Sequence, residues 1–212
     1  SHAKVIPTGI ELADFSGGDG QRFREQHGIP PEQPLLLYVG RVAHEKNIGF
    51  LLETLTYLKH WHPEILLVIA GEGPASAALK RRTTDLNLDA HARFVGYLDR
   101  SLELLDCYRA ADLFVFSSRT ETQGLVLLEA MALGVPVVGL AIMGTAEVLQ
   151  HERGAHIAQD DVHQFARTVS ALLNNGEARA ALSLSAQEYV REWTAPEMTR
   201  RLAHFYEDVV CE

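Results

Sequence analysis

Cysteine is nearly missing from this 212-residue chain: Cys107 and Cys211 are the only two, and neither sits in a Cys-x-x-Cys or Cys/His ligand spacing. Neither a disulfide framework nor a zinc site is expected, and the composition suits a reducing cytoplasm. A basic block is missing too. The 19 Lys and Arg are outnumbered by 28 Asp and Glu, for a net charge of −9. Sequence-independent nucleic-acid binding, which needs Lys and Arg to neutralise phosphates, is not expected of such a chain. The opening Ser-His-Ala-Lys holds no apolar core of a signal peptide. It also lacks an initiator methionine, which points to an artificial boundary or a processed start. A Gly-x-Gly-x-x-Gly dinucleotide fingerprint and a Gly-x-x-x-x-Gly-Lys-Ser/Thr phosphate loop are both absent.

One hydrophobic run approaches the roughly 20 residues of a membrane helix, at 124–144. Glu129 lies inside it, Pro136 interrupts it, and β-branched residues gather after Gly134. A short helix followed by a buried strand accounts for all three features. With 47% hydrophobic and 22% charged residues the chain has the balance of a globular protein, rich enough in apolar surface to offset its conformational entropy.

Punctuation dominates the start. Pro7-Thr8-Gly9 and Ser16-Gly17-Gly18-Asp19-Gly20 read as linker and loop, so 1–34 is expected to be a linker and lead-in and 35–212 one domain. From Leu35 short runs of Leu, Val and Ile alternate with longer amphipathic segments. Strands are expected at 35–39, 65–70, 93–95, 113–116, 135–138 and 155–157. Helices are expected at 47–60, 75–86, 102–110, 125–133, 144–149, 162–173, 177–190 and 196–210. Strands apolar at consecutive positions are covered on both faces, the signature of a parallel sheet between helices. The fold class is therefore α/β, with a single Rossmann-like, doubly wound parallel sheet of about six strands. Ligands in such sheets bind beyond the carboxyl ends of the strands, so the loops there are the candidates.

After the first strand, Gly40-Arg41-Val42-Ala43-His44-Glu45-Lys46-Asn47 opens a helix. Arg41 and Lys46 read as a phosphate clamp or as two solvated surface cations, and this loop alone favours the second. Gly71-Glu72-Gly73-Pro74 reads as a tight strand-to-helix turn. In Gly96-Tyr97-Leu98-Asp99 an apolar side chain either covers a flat base or packs into the core. The fourth strand leads to Glu121 and, eight residues on, Glu129. The helix carrying Glu129 is otherwise apolar, so this carboxylate is buried and needs partners. They are either protein donors or the hydroxyls of a polyhydroxylated ligand, which carboxylates suit. Free N–H groups near Gln123, Gly124 and Leu125 are placed to hold an anion. A two-carboxylate hydrolase is disfavoured, since both glutamates belong to one loop–helix unit. Asp161 reads as a helix N-cap rather than a metal ligand.

Taken in order, these segments resemble the C-terminal, donor-binding domain of retaining GT-B glycosyltransferases of family 4, over roughly 4–210. The matching pieces are Val5-Ile6-Pro7-Thr8-Gly9-Ile10, with Thr8 where the family commonly has Asn, then Gly40-Arg41…Glu45-Lys46, Ala70-Gly71-Glu72-Gly73-Pro74, Val95-Gly96-Tyr97-Leu98 and Ala110-Ala111-Asp112-Leu113-Phe114-Val115. The Glu-x7-Glu motif from Glu121 to Glu129 follows, then Ala130-Met131-Ala132-Leu133-Gly134-Val135-Pro136-Val137-Val138.

The resemblance implies roles. Arg41 and Lys46 would bind the diphosphate of a nucleotide sugar such as a UDP-sugar. Glu129 would hold the ribose and Glu121 the sugar. Backbone around Gly40 and Gln123–Leu125 would assist, and Leu98 would lie by the base. Glu121, Arg41 and Lys46 would be the catalytic set, without a metal or a cofactor, and with retention of anomeric configuration. Thr120-Glu121-Thr122-Gln123-Gly124-Leu125 is similar to lipid-glucosylating members. A full GT-B enzyme has two Rossmann-like domains. This chain has room for one, so it is expected to be a donor-binding half, unable to transfer sugar alone. The acceptor (glycan, lipid or small molecule) would bind through an N-terminal domain, in a cytoplasmic protein that is peripheral at the membrane at most. The competing expectations are a non-enzymatic nucleotide-sugar-binding module and, less favoured, a GT-B-like epimerase or hydrolase of nucleotide sugars.

Overall fold

The central strands form where apolar side chains continue without a polar break. The computed structural model describes residues 5–210, so the expectations for the extreme N-terminus and for Cys211 lie outside the described residues. The strands are β1 (Leu35–Val39), β2 (Leu66–Ala70), β3 (Ala92–Gly96), β4 (Leu113–Phe116), β5 (Val137–Gly139) and β6 (Ala155–Ile157). β1, β2 and β4 are buried at every position, as strands covered on both faces must be. All pairings are parallel, in the order β3-β2-β1-β4-β5-β6. The chain winds outward from β1 through β2 to β3, then returns to the other side of β1. The order therefore reverses between β1 and β4, which leaves a crevice beyond their carboxyl ends.

The helices are α1 (Gly20–Gln26), α2 (Ile48–Trp61), α3 (Ser76–Asp85), α4 (Glu103–Ala110), α5 (Leu125–Ala132), α6 (Thr145–Val148), α7 (Val162–Leu173), α8 (Gly176–Tyr189) and α9 (Ala195–Val210). α2 packs on α3 and α7, whereas α4 packs on α1 and α5 on α8. Asp161 caps α7, its carboxylate accepting from the Gln164 N–H at 2.8 Å. Among the described residues no helix is long and apolar enough to cross a membrane.

The apolar run at 124–144 divides as expected, with one shift. α5 ends at Ala132, the chain turns at Gly134, and the strand begins at Val137 rather than at 135. Val135 is still occupied in closing the helix, donating its N–H to the Ala130 carbonyl at 2.9 Å.

The lead-in is more ordered than its glycines announce. α1 lies within it, started by Asp19, whose carboxylate accepts from the N–H groups of Gln21 and Arg22. Buried Asp106 on α4 receives Arg22 through two bonds of 2.6 and 2.7 Å and the Asp19 N–H at 2.6 Å. Gly20 is required by packing: any Cβ there would collide with the Arg109 carbonyl. Ile10 in turn pairs with Thr194, so the start of the lead-in lies against the segment before α9.

Candidate functional site

Side chain–backbone bonds sew the loop after β1 to the loop after β4. Asn47, in the left-handed region at φ 56°, donates its side-chain amide to the Ser117 carbonyl at 3.2 Å. The Ser117 hydroxyl returns a bond to the Asn47 carbonyl at 3.0 Å. Thr120 donates to the Glu45 carbonyl at 3.2 Å. This stitching brings Lys46 onto Glu121, with Nζ 2.6 Å from Oε2 and both side chains about four-fifths buried. Arg41 is held more loosely. It stands 3.9 Å from Glu45 and its side chain is 67% exposed.

Glu129 sits in the second turn of α5, and its side chain is only 4% exposed. The partners it requires are protein donors. The Tyr108 hydroxyl on α4 donates to Oε2 at 2.9 Å, and the Arg100 guanidinium donates to Oε1 at 2.6 Å. Burial, followed by the adjacent Glu129 charge, pushes the Tyr108 phenol well above its usual range, so it stays a proton donor. Arg100 reaches in from solvent, with its side chain 66% exposed. At the start of α5 Gly124 is the N-cap at φ 72°, and no side chain caps the helix. The first N–H groups of a helix have no intrahelical acceptor, so this end can receive an anion.

These groups line a two-lobed cleft at the β1/β4 reversal. The larger lobe, about 500 Å³, is bordered by Arg41, Lys46, Glu121 and the turn from Thr122 to Leu125. The second, about 350 Å³, is bordered by Ala70, Gly71, Glu72, Tyr97, Leu98 and Leu104. Gly40, Arg41, Arg100 and Glu129 line both and mark the junction. The structure thus gathers Gly40, Arg41, Lys46, Leu98, Glu121, Gln123, Gly124, Leu125 and Glu129 around one cleft. The Gln123 side chain donates to the Thr8 carbonyl, tying the turn to the lead-in. Leu98 is half-buried against the core and also lines the smaller lobe. Among the described residues no group of three or more His, Cys, Asp or Glu is arranged to hold a metal ion.

Three contributors were not evident from sequence. Arg100 and Tyr108 meet Glu129 across 29 and 21 positions of chain, a separation that no local spacing encodes. Tyr38 read only as a core residue of the first strand. It lines the larger lobe, and its hydroxyl donates to the Arg41 carbonyl at 3.3 Å. Burial raises its phenol, helped by Glu121 and Glu45.

The position of Glu121 depends on a glycine far along the chain. Gly144 donates its N–H to the Glu121 carbonyl at 3.0 Å, and a Cβ there would strike the Thr122 carbonyl oxygen. Gly144→Ala is expected to push this turn outward and part Lys46 from Glu121, at a cost of about 1–3 kcal/mol in urea denaturation. A crystal structure of the variant with the Lys46–Glu121 pair intact would show that the turn is not set by this contact.

The family model for glycosyl transferases group 1 matches residues 19–189. D-inositol 3-phosphate glycosyltransferase 2 of Catenulispora acidiphila is 33% identical over 203 residues, covering 90% of this chain and 47% of that protein. Alpha-monoglucosyldiacylglycerol synthase of Streptococcus pneumoniae is 36% identical over 140 residues, covering 64% of this chain and 32% of that protein. Among solved structures, Anabaena Alr3699/HepE in complex with UDP superposes with a TM-score of 0.85 at 20% identity, covering 97% of this chain and 57% of that one. That likeness concerns the fold alone. The chain spans about half the length, or less, of the curated relatives it matches.

Proposed function

Because this chain belongs to the group 1 glycosyl transferases, we propose that it is the donor-binding half of a retaining glycosyltransferase and that its cleft takes a nucleotide sugar. The observation that carries this reading is the order of groups along the cleft. An apolar lobe beside Leu98 suits a base. Glu129 at the junction suits ribose hydroxyls. Arg41, Lys46 and the start of α5 suit a diphosphate, and Glu121 suits the sugar. A nucleotide sugar has its parts in that same sequence. UDP in the Anabaena neighbour makes a UDP-sugar the first donor to test.

The chemistry asked of these residues is electrostatic. As the bond from the anomeric carbon to the diphosphate oxygen breaks, negative charge grows on the leaving group. Arg41, Lys46 and the uncapped N–H groups of α5 lie where they stabilise it. The acceptor hydroxyl attacks from the same face, its oxygen bonding to the anomeric carbon and its proton passing to the departing phosphate. The acceptor (a glycan, lipid or small molecule) would be positioned by another part of the full-length protein. Calorimetry of this chain with UDP-, GDP- and ADP-sugars tests the reading. One family of donors should bind at micromolar to millimolar concentration, and silence toward all three would reject it.

A further inference from the structure

The cleft holds three cations, and each is matched to a carboxylate: Arg41 to Glu45, Lys46 to Glu121 and Arg100 to Glu129. Arg41 and Lys46 belong to the loop after β1. Arg100 comes from the loop after β3. Its bond to Glu129 takes one N–H of one terminal nitrogen, and a guanidinium has five donors in a fixed fork. The rest of the group is in solvent and lines both lobes. If ribose lies on Glu129 and sugar on Glu121, the diphosphate must pass between them, across the face that Arg100 presents.

We propose that Arg100 is a third diphosphate-binding cation, aimed by Glu129, and that Arg100 and Glu129 work as one unit that bridges ribose and phosphate. This rests on the donor-site reading above. Its chemistry is that of a charge-assisted, fork-shaped donor to phosphate oxygens, the contact for which arginine is best shaped. The pairing also explains how Glu129 is kept buried. The carboxylate is compensated by a cation that remains in place when the ligand arrives, so ribose need only occupy free lone pairs.

The test compares a nucleoside with its diphosphate. UDP, GDP and ADP are titrated into the parent chain, and the tightest is carried forward with its own nucleoside, by NMR titration able to read millimolar constants. Arg100→Ala should weaken diphosphate binding by about threefold to tenfold, the range of an exposed cation, and leave nucleoside binding within about twofold. Equal losses for both ligands would mean that Arg100 serves only to neutralise Glu129, and would overturn the proposal, as would no loss for either. Should Arg100→Ala not fold, Arg100→Lys takes its place, because it keeps the charge that neutralises Glu129 and removes the fork-shaped donor. A diphosphate-specific loss in Arg100→Lys supports a direct phosphate contact, and affinities equal to the parent's overturn it. A parent that binds none of the three diphosphates is a different failure, that of the donor-site reading itself.

Discussion

Lys46→Ala is expected to weaken nucleoside-diphosphate binding by about 1.5–3 kcal/mol, roughly tenfold to a hundredfold, and to do so more severely than Arg41→Ala. Both residues open the same loop and carry the same charge, so sequence does not rank them. Their surroundings do. The Lys46 side chain is 20% exposed, and its contacts are poorly screened by water. The Arg41 side chain is 67% exposed, which places its contribution in the range of surface ion pairs, below about tenfold. Removing Lys46 does further harm by leaving Glu121 unpaired beside the incoming phosphates. Lys46→Ala/Glu121→Gln should therefore recover part of the lost diphosphate affinity. Calorimetry on the three variants checks this. An Arg41→Ala loss equal to or greater than that of Lys46→Ala would show that the exposed guanidinium, rather than the shielded ammonium, carries the contact.

The two glutamates are expected to fail differently. Glu129→Gln should reduce affinity for nucleoside diphosphate and nucleotide sugar alike, by about tenfold, because ribose is common to both. It also removes the charge that aims Arg100. Glu121→Gln should leave nucleoside-diphosphate binding nearly intact and weaken only the sugar-bearing ligand. In a full-length enzyme it should lower turnover, since a sugar contact can strengthen as the transition state forms. Glu129 is the riskier substitution for folding, because its partners Tyr108 and Arg100 lose a buried anion. Melting must be followed beside binding. Equal losses of diphosphate affinity in both variants, with melting unchanged, would contradict this division of labour.

The parts of the molecule that were legible in sequence are those whose physics is local. β1, β2 and β4 are unbroken apolar runs, and a strand buried on both faces cannot look otherwise. The break after α5 was visible in Gly134 and Pro136, although Val135 closes the helix before any strand begins. α1 was hidden because Gly20 is a glycine for reasons of packing. Its missing Cβ makes room for the Arg109 carbonyl, yet within a glycine-rich segment it reads as loop. At the site, the need of Glu129 for partners followed from one carboxylate on an apolar helix. That the partners are Tyr108 and Arg100 did not, because only the docking of α4 and of the loop after β3 against α5 brings them near. The Lys46–Glu121 pair was likewise divided between two loops, which Asn47, Ser117 and Thr120 bind together.

One cleft, at the carboxyl ends of β1 and β4, is expected to bind the nucleotide part of a sugar donor. Amide chemical-shift mapping of the ¹⁵N-labelled chain during titration with UDP reads it most directly, with GDP and ADP as the alternative nucleotides. With the nucleotide that binds, the largest shifts should fall on Gly40, Arg41, Lys46, Leu98, Arg100, Gly124 and Leu125, and residues of α8 and α9 should stay still. Shifts centred away from the β1/β4 crevice, or none with any of the three nucleotides, would contradict the account.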